Sequence, residues 1–160
     1  VIMGSDSDFP IMKDAIKILK DFKIDVEVSI ISAHRTPEKA INYAKEAEEK
    51  GIDILIAGAG KAAHLPGVLA AFTVLPVIGV PIKSSTFDGL DALFSIVQMP
   101  SGIPVATVSV NGAKNAGILA IHILSVKDKI LRNKLKEYRS KIAQEVEKKD
   151  KIIKRETNNI

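Results

Sequence analysis

The sequence predicts an α/β fold: a parallel sheet with helices on both faces, followed by a long C-terminal helix. Three observations carry this. Apolar runs of strand length recur along the chain, amphipathic helical stretches separate them, and beyond Ser125 the apolar spacing becomes that of one long Lys- and Glu-rich helix. A strand that returns parallel to its neighbour needs a crossover long enough to hold a helix, so this alternation means a parallel sheet sandwiched between helices.

The strands are expected at Val1–Met3, Asp25–Ile31, Asp53–Ala57, Pro76–Val80 and Pro104–Val108. Between the first two, Met12, Ala15, Ile16 and Leu19 mark one face of a helix. The second helix opens at Thr36-Pro37-Glu38: a capping residue, a proline suited to the first turn, and an acid at the positive end of the dipole. It runs to Lys50-Gly51, where glycine supplies the stop. A third helix follows Leu65-Pro66, a fourth follows Asp88-Gly89, and a fifth spans Ala113 to Leu124. Val126, Ile130, Leu135, Tyr138, Ile142 and Val146 then describe the long helix, and residues from Lys151 to Ile160 are expected to fray. That helix either docks on its own domain or packs on a neighbouring subunit. The division is a single α/β domain over 1–125 and a C-terminal helix with its tail over 126–160.

With 160 residues, 46% of them hydrophobic, the chain can close one good core and is short for two. No apolar run reaches the roughly 18 residues of a membrane span. The sequence opens at Val1 inside an apolar strand with no initiating Met, so a few residues are expected to precede it; the stretch given carries no targeting signal. The absence of cysteine removes disulfides and thiolate chemistry and fits a reducing compartment. The net charge of +4 belongs to the C-terminal part: from Lys127 onward there are 12 Lys and Arg against 6 Asp and Glu, while the rest carries net −2. Tyr138 is the single aromatic in that basic stretch, so no stacking surface for nucleic acid is expected.

Ligands of open parallel sheets bind at the carboxyl ends of the strands, where strand order reverses. Four loops lie there. Gly4-Ser5-Asp6-Ser7-Asp8 opens the first helix with N–H groups and hydroxyls that suit a phosphate, although Ser and Asp are also ordinary helix caps. Ser32-Ala33-His34-Arg35-Thr36-Pro37 places an imidazole and a guanidinium at a strand end where packing demands neither. His34 can give and take a proton near neutrality and Arg35 can fork two phosphate oxygens; the alternative is a surface histidine beside a cap. Gly58 to Gly67 strings small residues around His64, letting backbone approach a ligand closely, or else serves as a plain connector. Ser95 to Pro104 sets turn formers around a short apolar run and would close the cleft beside strand five. His122, inside the fifth helix, is expected to be structural. No HExxH or HxxxH spacing supports a metal and no GxSxG elbow supports a hydrolase triad.

In this order GSDSD, SAHRTP, AGAGKAAHLPG and SIVQMPSGIPVATV closely resemble the class I PurE family, the N5-carboxyaminoimidazole ribonucleotide mutases, over about Val1 to Leu124. The resemblance implies a flavodoxin-like three-layer fold and a cytoplasmic homo-octamer whose C-terminal helix packs on neighbours. It also implies conversion of N5-carboxyaminoimidazole ribonucleotide to 4-carboxy-5-aminoimidazole ribonucleotide in purine biosynthesis, without cofactor or metal. Carried onto this chain, Ser5, Ser7 and Arg35 hold the phosphate, Asp8 the ribose hydroxyls, and Ser32 and Ala33 border the ring. His34 is the proton carrier. Gly58, Gly60, Ala62, His64 and Leu65 enclose CO2 and the carboxylate, and Met99 and Pro100 help close the lid.

One residue departs from the family's usual GAGGAAHLPG: Lys61 replaces its third glycine. If that position takes a positive φ, lysine adds strain of about a kcal/mol, and an ammonium beside a bound carboxylate bears on the substrate form. Two other readings compete with the mutase. One is a class II carboxylase taking aminoimidazole ribonucleotide (AIR) and free CO2 on the same fold; the other is a non-catalytic flavin- or nucleotide-binding module.

Overall fold

A computed structural model describes residues 1–157. The order of elements is β1 (Ile2–Met3), a 3-10 turn (Asp6–Asp8), α1 (Phe9–Asp21), β2 (Ser29–Ile30), α2 (Pro37–Glu46), β3 (Leu55–Gly60), α3 (Leu65–Ala70), β4 (Val77–Ile82), α4 (Leu90–Val97), β5 (Ala106–Thr107), α5 (Ala113–Leu124) and α6 (Lys129–Thr157). By compactness the chain forms two units, Val1–Ala120 and a second from Ile121 onward.

The first unit is built on a five-stranded sheet of order β2-β1-β3-β4-β5, with every neighbouring pair parallel. The chain leaves β1 in one direction to form β2 and passes to the other side for β3, so the strand order reverses between β1 and β3. That is the flavodoxin-type switch point. Ile2 pairs with Ser29 on one side and Ala57 on the other, which sets β1 in register between β2 and β3.

Side chains alternate across β3. Leu55, Ala57 and Ala59 join Ala40 and Tyr43 of α2, Leu65 and Leu69 of α3, and Ala92 and Ile96 of α4 in one buried cluster. The opposite face carries α1. There Met12 lies so close to Gly58 that a Cβ would sit 2.3 Å from its sulfur, and Ile18 of α1 packs equally tightly on Gly117 of α5. Helices therefore cover both faces.

The central strands run further than their apolar runs indicate. β3 continues through Gly58-Ala59-Gly60, residues read from sequence as a loop, because each pairs with β4 up to Gly60 opposite Ile82. The edge strands are shorter than expected. Asp25 and Glu27 belong to no strand and only Ser29 and Ile30 pair with β1, while Pro104, which has no N–H to give a ladder, stands outside β5.

Helix ends follow local chemistry. α2 ends at Glu46, short of the expected Lys50; a turn carries the chain on to Gly51, at φ 74°, and the Ile52 N–H closes on the Ala47 carbonyl. In the second unit Asp128 Oδ1 accepts the N–H groups of Ile130 and Leu131 and caps α6. Its buried positions are Leu131 and Leu135, whereas Val126 and Ile130, placed on the apolar stripe from sequence, are 68% and 72% exposed. Leu131 takes the place expected of Ile130, since 131, 135, 138 and 142 share a face. Fraying from Lys151 is not observed: the helix continues through Thr157, and residues 158–160 lie outside the described residues. No described helix is long and apolar enough to cross a membrane.

Candidate active site

The loops after β1, β2, β3 and β4 enclose a cleft of about 500 Å³, within the range of small-molecule sites. All four stand at the carboxyl ends of parallel strands, where backbone N–H groups and helix N-termini converge.

In the first loop Ser5 caps the 3-10 turn. Its Oγ accepts the Ser7 N–H at 3.3 Å and the Ser7 hydroxyl at 3.0 Å, and Asp8 Oδ2 accepts the Ser5 N–H at 3.0 Å, a reciprocal capping box. The Gly4 N–H donates to the Gly58 carbonyl and ties the loop to β3. Burial raises the Asp8 carboxyl above its ordinary value, against the Ser5 N–H that favours its charged form. Asp6 differs: hydrogen bonds from the Ser5 hydroxyl and the Ser7 N–H hold it below the usual carboxylate range.

In the second loop Ser32 Oγ accepts the Arg35 N–H at 3.1 Å, and the Arg35 Nε lies 3.5 Å from the same oxygen. Thr36, expected as the cap of α2, makes no side-chain cap. Its hydroxyl donates to the Ser32 carbonyl and accepts the Ser32 N–H, closing the loop on itself. This turn aims His34 at the third loop. His34 Nε2 and His64 Nδ1 are 2.8 Å apart, with the rings edge to face at 79°. One ring nitrogen donates and the other accepts, so the two tautomers are linked.

His64 owes its place to the turn before α3, where its N–H donates to the Ala62 carbonyl at 2.8 Å. Lys61, three residues before His64, has φ 56°. The condition set from sequence is met: a side chain stands in backbone that glycine adopts without cost.

The cleft wall brings together Ser5, Ser7, Asp8, Ser32, Ala33, His34, Arg35, Gly60, Ala62, His64 and Leu65 of the sequence-derived candidates. Gly58, Met99 and Pro100 are not on it. Gly58 faces Met12 in the core, and Met99 packs on α3, its sulfur 3.0 Å from where a Cβ on Gly67 would be. Ser95–Val97, read as part of a loop, complete α4. His122 belongs to the second unit, half buried.

Sequence reading missed Lys83, Ser84 and Ser85, which line the cleft directly after β4. The signal was available: strand four also ends at the carboxyl edge, and a polar triplet follows it. The arrangement offers hydroxyls and a guanidinium for an anion, a carboxylate for hydroxyl groups, and an imidazole pair for proton transfer. Among the described residues no cluster of His, Cys, Asp or Glu is suited to hold a metal ion.

A family model described as AIR carboxylase matches residues 1–145. The chain is 62% identical over 146 residues to the N5-carboxyaminoimidazole ribonucleotide mutase of Thermotoga maritima, covering 91% of this chain and 85% of that protein. It is 65% identical over 139 residues to the mutase of Pyrococcus abyssi, covering 87% and 80%. Among solved structures, that of Treponema denticola PurE superposes with a TM-score of 0.83 at 34% identity, over 93% of each chain. Sequence and fold agree, and the chain belongs to the AIR carboxylase family.

Proposed function

We propose that this protein is an N5-carboxyaminoimidazole ribonucleotide mutase of purine biosynthesis, an isomerase that moves a carboxyl group from the exocyclic nitrogen to C4 of the ring. The single observation that carries the chemistry is His34, held 2.8 Å from His64 beside a loop rich in anion-binding groups. Relatives named as such mutases, at 53–65% identity over most of the chain, support the substrate.

Ser5, Ser7 and Arg35 hold the phosphate, and Asp8 accepts the ribose hydroxyls. Ser32 and Ala33 border the imidazole. His34 donates a proton to the carbamate nitrogen as the N–C bond breaks and CO2 leaves; Gly60, Ala62, His64 and Leu65 confine that CO2. C4 then attacks it, and His34 recovers the proton that C4 gives up, so the proton count is unchanged over the cycle. Gly58 packs on Met12 and Met99 on Gly67, so neither is assigned a contact with the substrate, nor is Pro100. No step in this scheme calls on a metal or cofactor.

The working form is a cytoplasmic homo-oligomer, an octamer by resemblance. Phe87, Leu90, Phe94 and Val97 support association: they are 63%, 52%, 57% and 48% exposed, and the last three recur at helical spacing on α4. The C-terminal helix, residues 126–160 in the sequence division, is assigned to contacts between copies.

The test offers the enzyme AIR with bicarbonate, or the enzymatically generated N5-carboxylated substrate. The mutase is expected to consume the second in preference to the first. Preference for AIR and CO2 would assign the carboxylase reaction, and no turnover of either, with flavin retained, a binding module.

A further inference from the structure

Ser84 stands on the cleft wall just past the end of β4. Its hydroxyl donates to Asp91 Oδ2 at 3.0 Å. Asp91, in the first turn of α4, does not line the cleft itself. Its other oxygen, Oδ1, is buried without a hydrogen-bond partner among the described residues. A buried unpaired carboxylate oxygen weakens a fold, so an acid kept there needs another reason. Attraction to the positive end of the α4 dipole is one such reason, but it is indifferent to Ser84.

The bond to Ser84 supplies a second reason. A hydroxyl has one proton and two lone pairs. With its proton committed to Asp91, Ser84 Oγ can meet a ligand only as an acceptor. Arg35, Lys61 and Lys83 give the wall cationic donors suited to anionic groups, and Asp8 is its one carboxylate. The geometry points to Asp91 as a positioning residue that fixes Ser84 as an acceptor, so that Ser84 reads a hydrogen-bond donor on the ribonucleotide, either an imidazole-bound N–H or a ribose hydroxyl. This rests on the mutase reading above and adds to it a specificity pair in the loop after β4, which the sequence reading did not single out.

The experiment is a double-mutant cycle on the full-length chain. Steady-state kinetics with the N5-carboxylated substrate and thermal melts are measured for Ser84→Ala, Asp91→Ala, the double variant and Asp91→Asn. Ser84→Ala and Asp91→Ala should each raise KM about three- to tenfold with kcat little changed. The double variant should be no worse than Ser84→Ala, because Asp91 acts through Ser84. Asp91→Asn, whose amide oxygen still accepts from Ser84, should restore KM. With 2′- and 3′-deoxy ribotides, disappearance of the Ser84→Ala penalty assigns a ribose hydroxyl and its persistence assigns the N–H. Additive losses, or an Asp91→Ala variant with a lowered melting temperature and normal KM, would overturn the inference. Should Asp91→Ala not fold, Ser84→Ala with wild-type KM does so. Absence of turnover in the wild-type chain would instead remove the mutase reading.

Discussion

His34 Nε2 and His64 Nδ1 meet at 2.8 Å, though thirty residues and one complete crossover separate them. The sheet makes this contact: β2 and β3 flank β1, so the loops beyond their carboxyl ends converge over the switch point. Replacing His34 by Asn keeps a polar group of similar reach but removes the acid and base. We expect His34→Asn to lower kcat by about 10²- to 10⁴-fold while melting temperature and ribotide affinity stay close to wild type. A near-normal rate would exclude His34 as the proton carrier.

Arg35 is anchored by Ser32 through both its backbone N–H and its guanidinium. Arg35→Ala should weaken binding of a phosphorylated ligand by about tenfold or more and leave a nucleoside analogue unaffected. Calorimetric titration with both ligands checks this, and equal losses would place the phosphate elsewhere.

Lys61 occupies left-handed backbone at φ 56°. Lys61→Gly removes that strain at the expense of a more flexible unfolded chain, so a net gain of about 0.5–1 kcal/mol in unfolding free energy is expected. Denaturant melts measure it. A loss of stability would mean that the lysine side chain makes contacts worth more than the strain.

Burial of Asp8 raises its carboxyl pKa in the folded chain. Between the ordinary carboxylate value and that raised one the folded state binds more protons than the unfolded state, so this group makes stability fall as pH rises through the window. Asp8→Asn keeps an acceptor for the Ser5 N–H and removes the desolvated charge. Its advantage in melting temperature over wild type should therefore grow from pH 3 to pH 7, while ribotide binding weakens. A constant difference across that range would contradict the assigned cause.

Much of this was legible in the sequence because periodicity and punctuation agree. Met12, Ala15 and Leu19 mark the buried face of α1, Gly51 marks the end of the turn after α2, and the polar loops after β1, β2 and β3 announce the carboxyl edge, whereas Ser95–Pro104 completes α4 and leads into the amino end of β5. Other features depend on partners distant in sequence. Gly58 reads as room for a ligand, yet the room is filled by Met12 from another helix. Gly60 reads as loop, yet pairing with Ile82 makes it strand. Thr36 reads as a cap, yet its hydroxyl turns back to Ser32. The bond between Ser84 and Asp91 spans the turn into α4 and leaves no mark on periodicity.

The central claim is that one imidazole works over a ribotide in this cleft. A crystal structure of the protein soaked with 4-carboxy-5-aminoimidazole ribonucleotide tests it most directly. The account predicts ring carbon C4 about 3–3.5 Å from a ring nitrogen of His34, with the phosphate against Ser5, Ser7 and Arg35. Product bound away from His34, or lying with its phosphate toward His64, would contradict it.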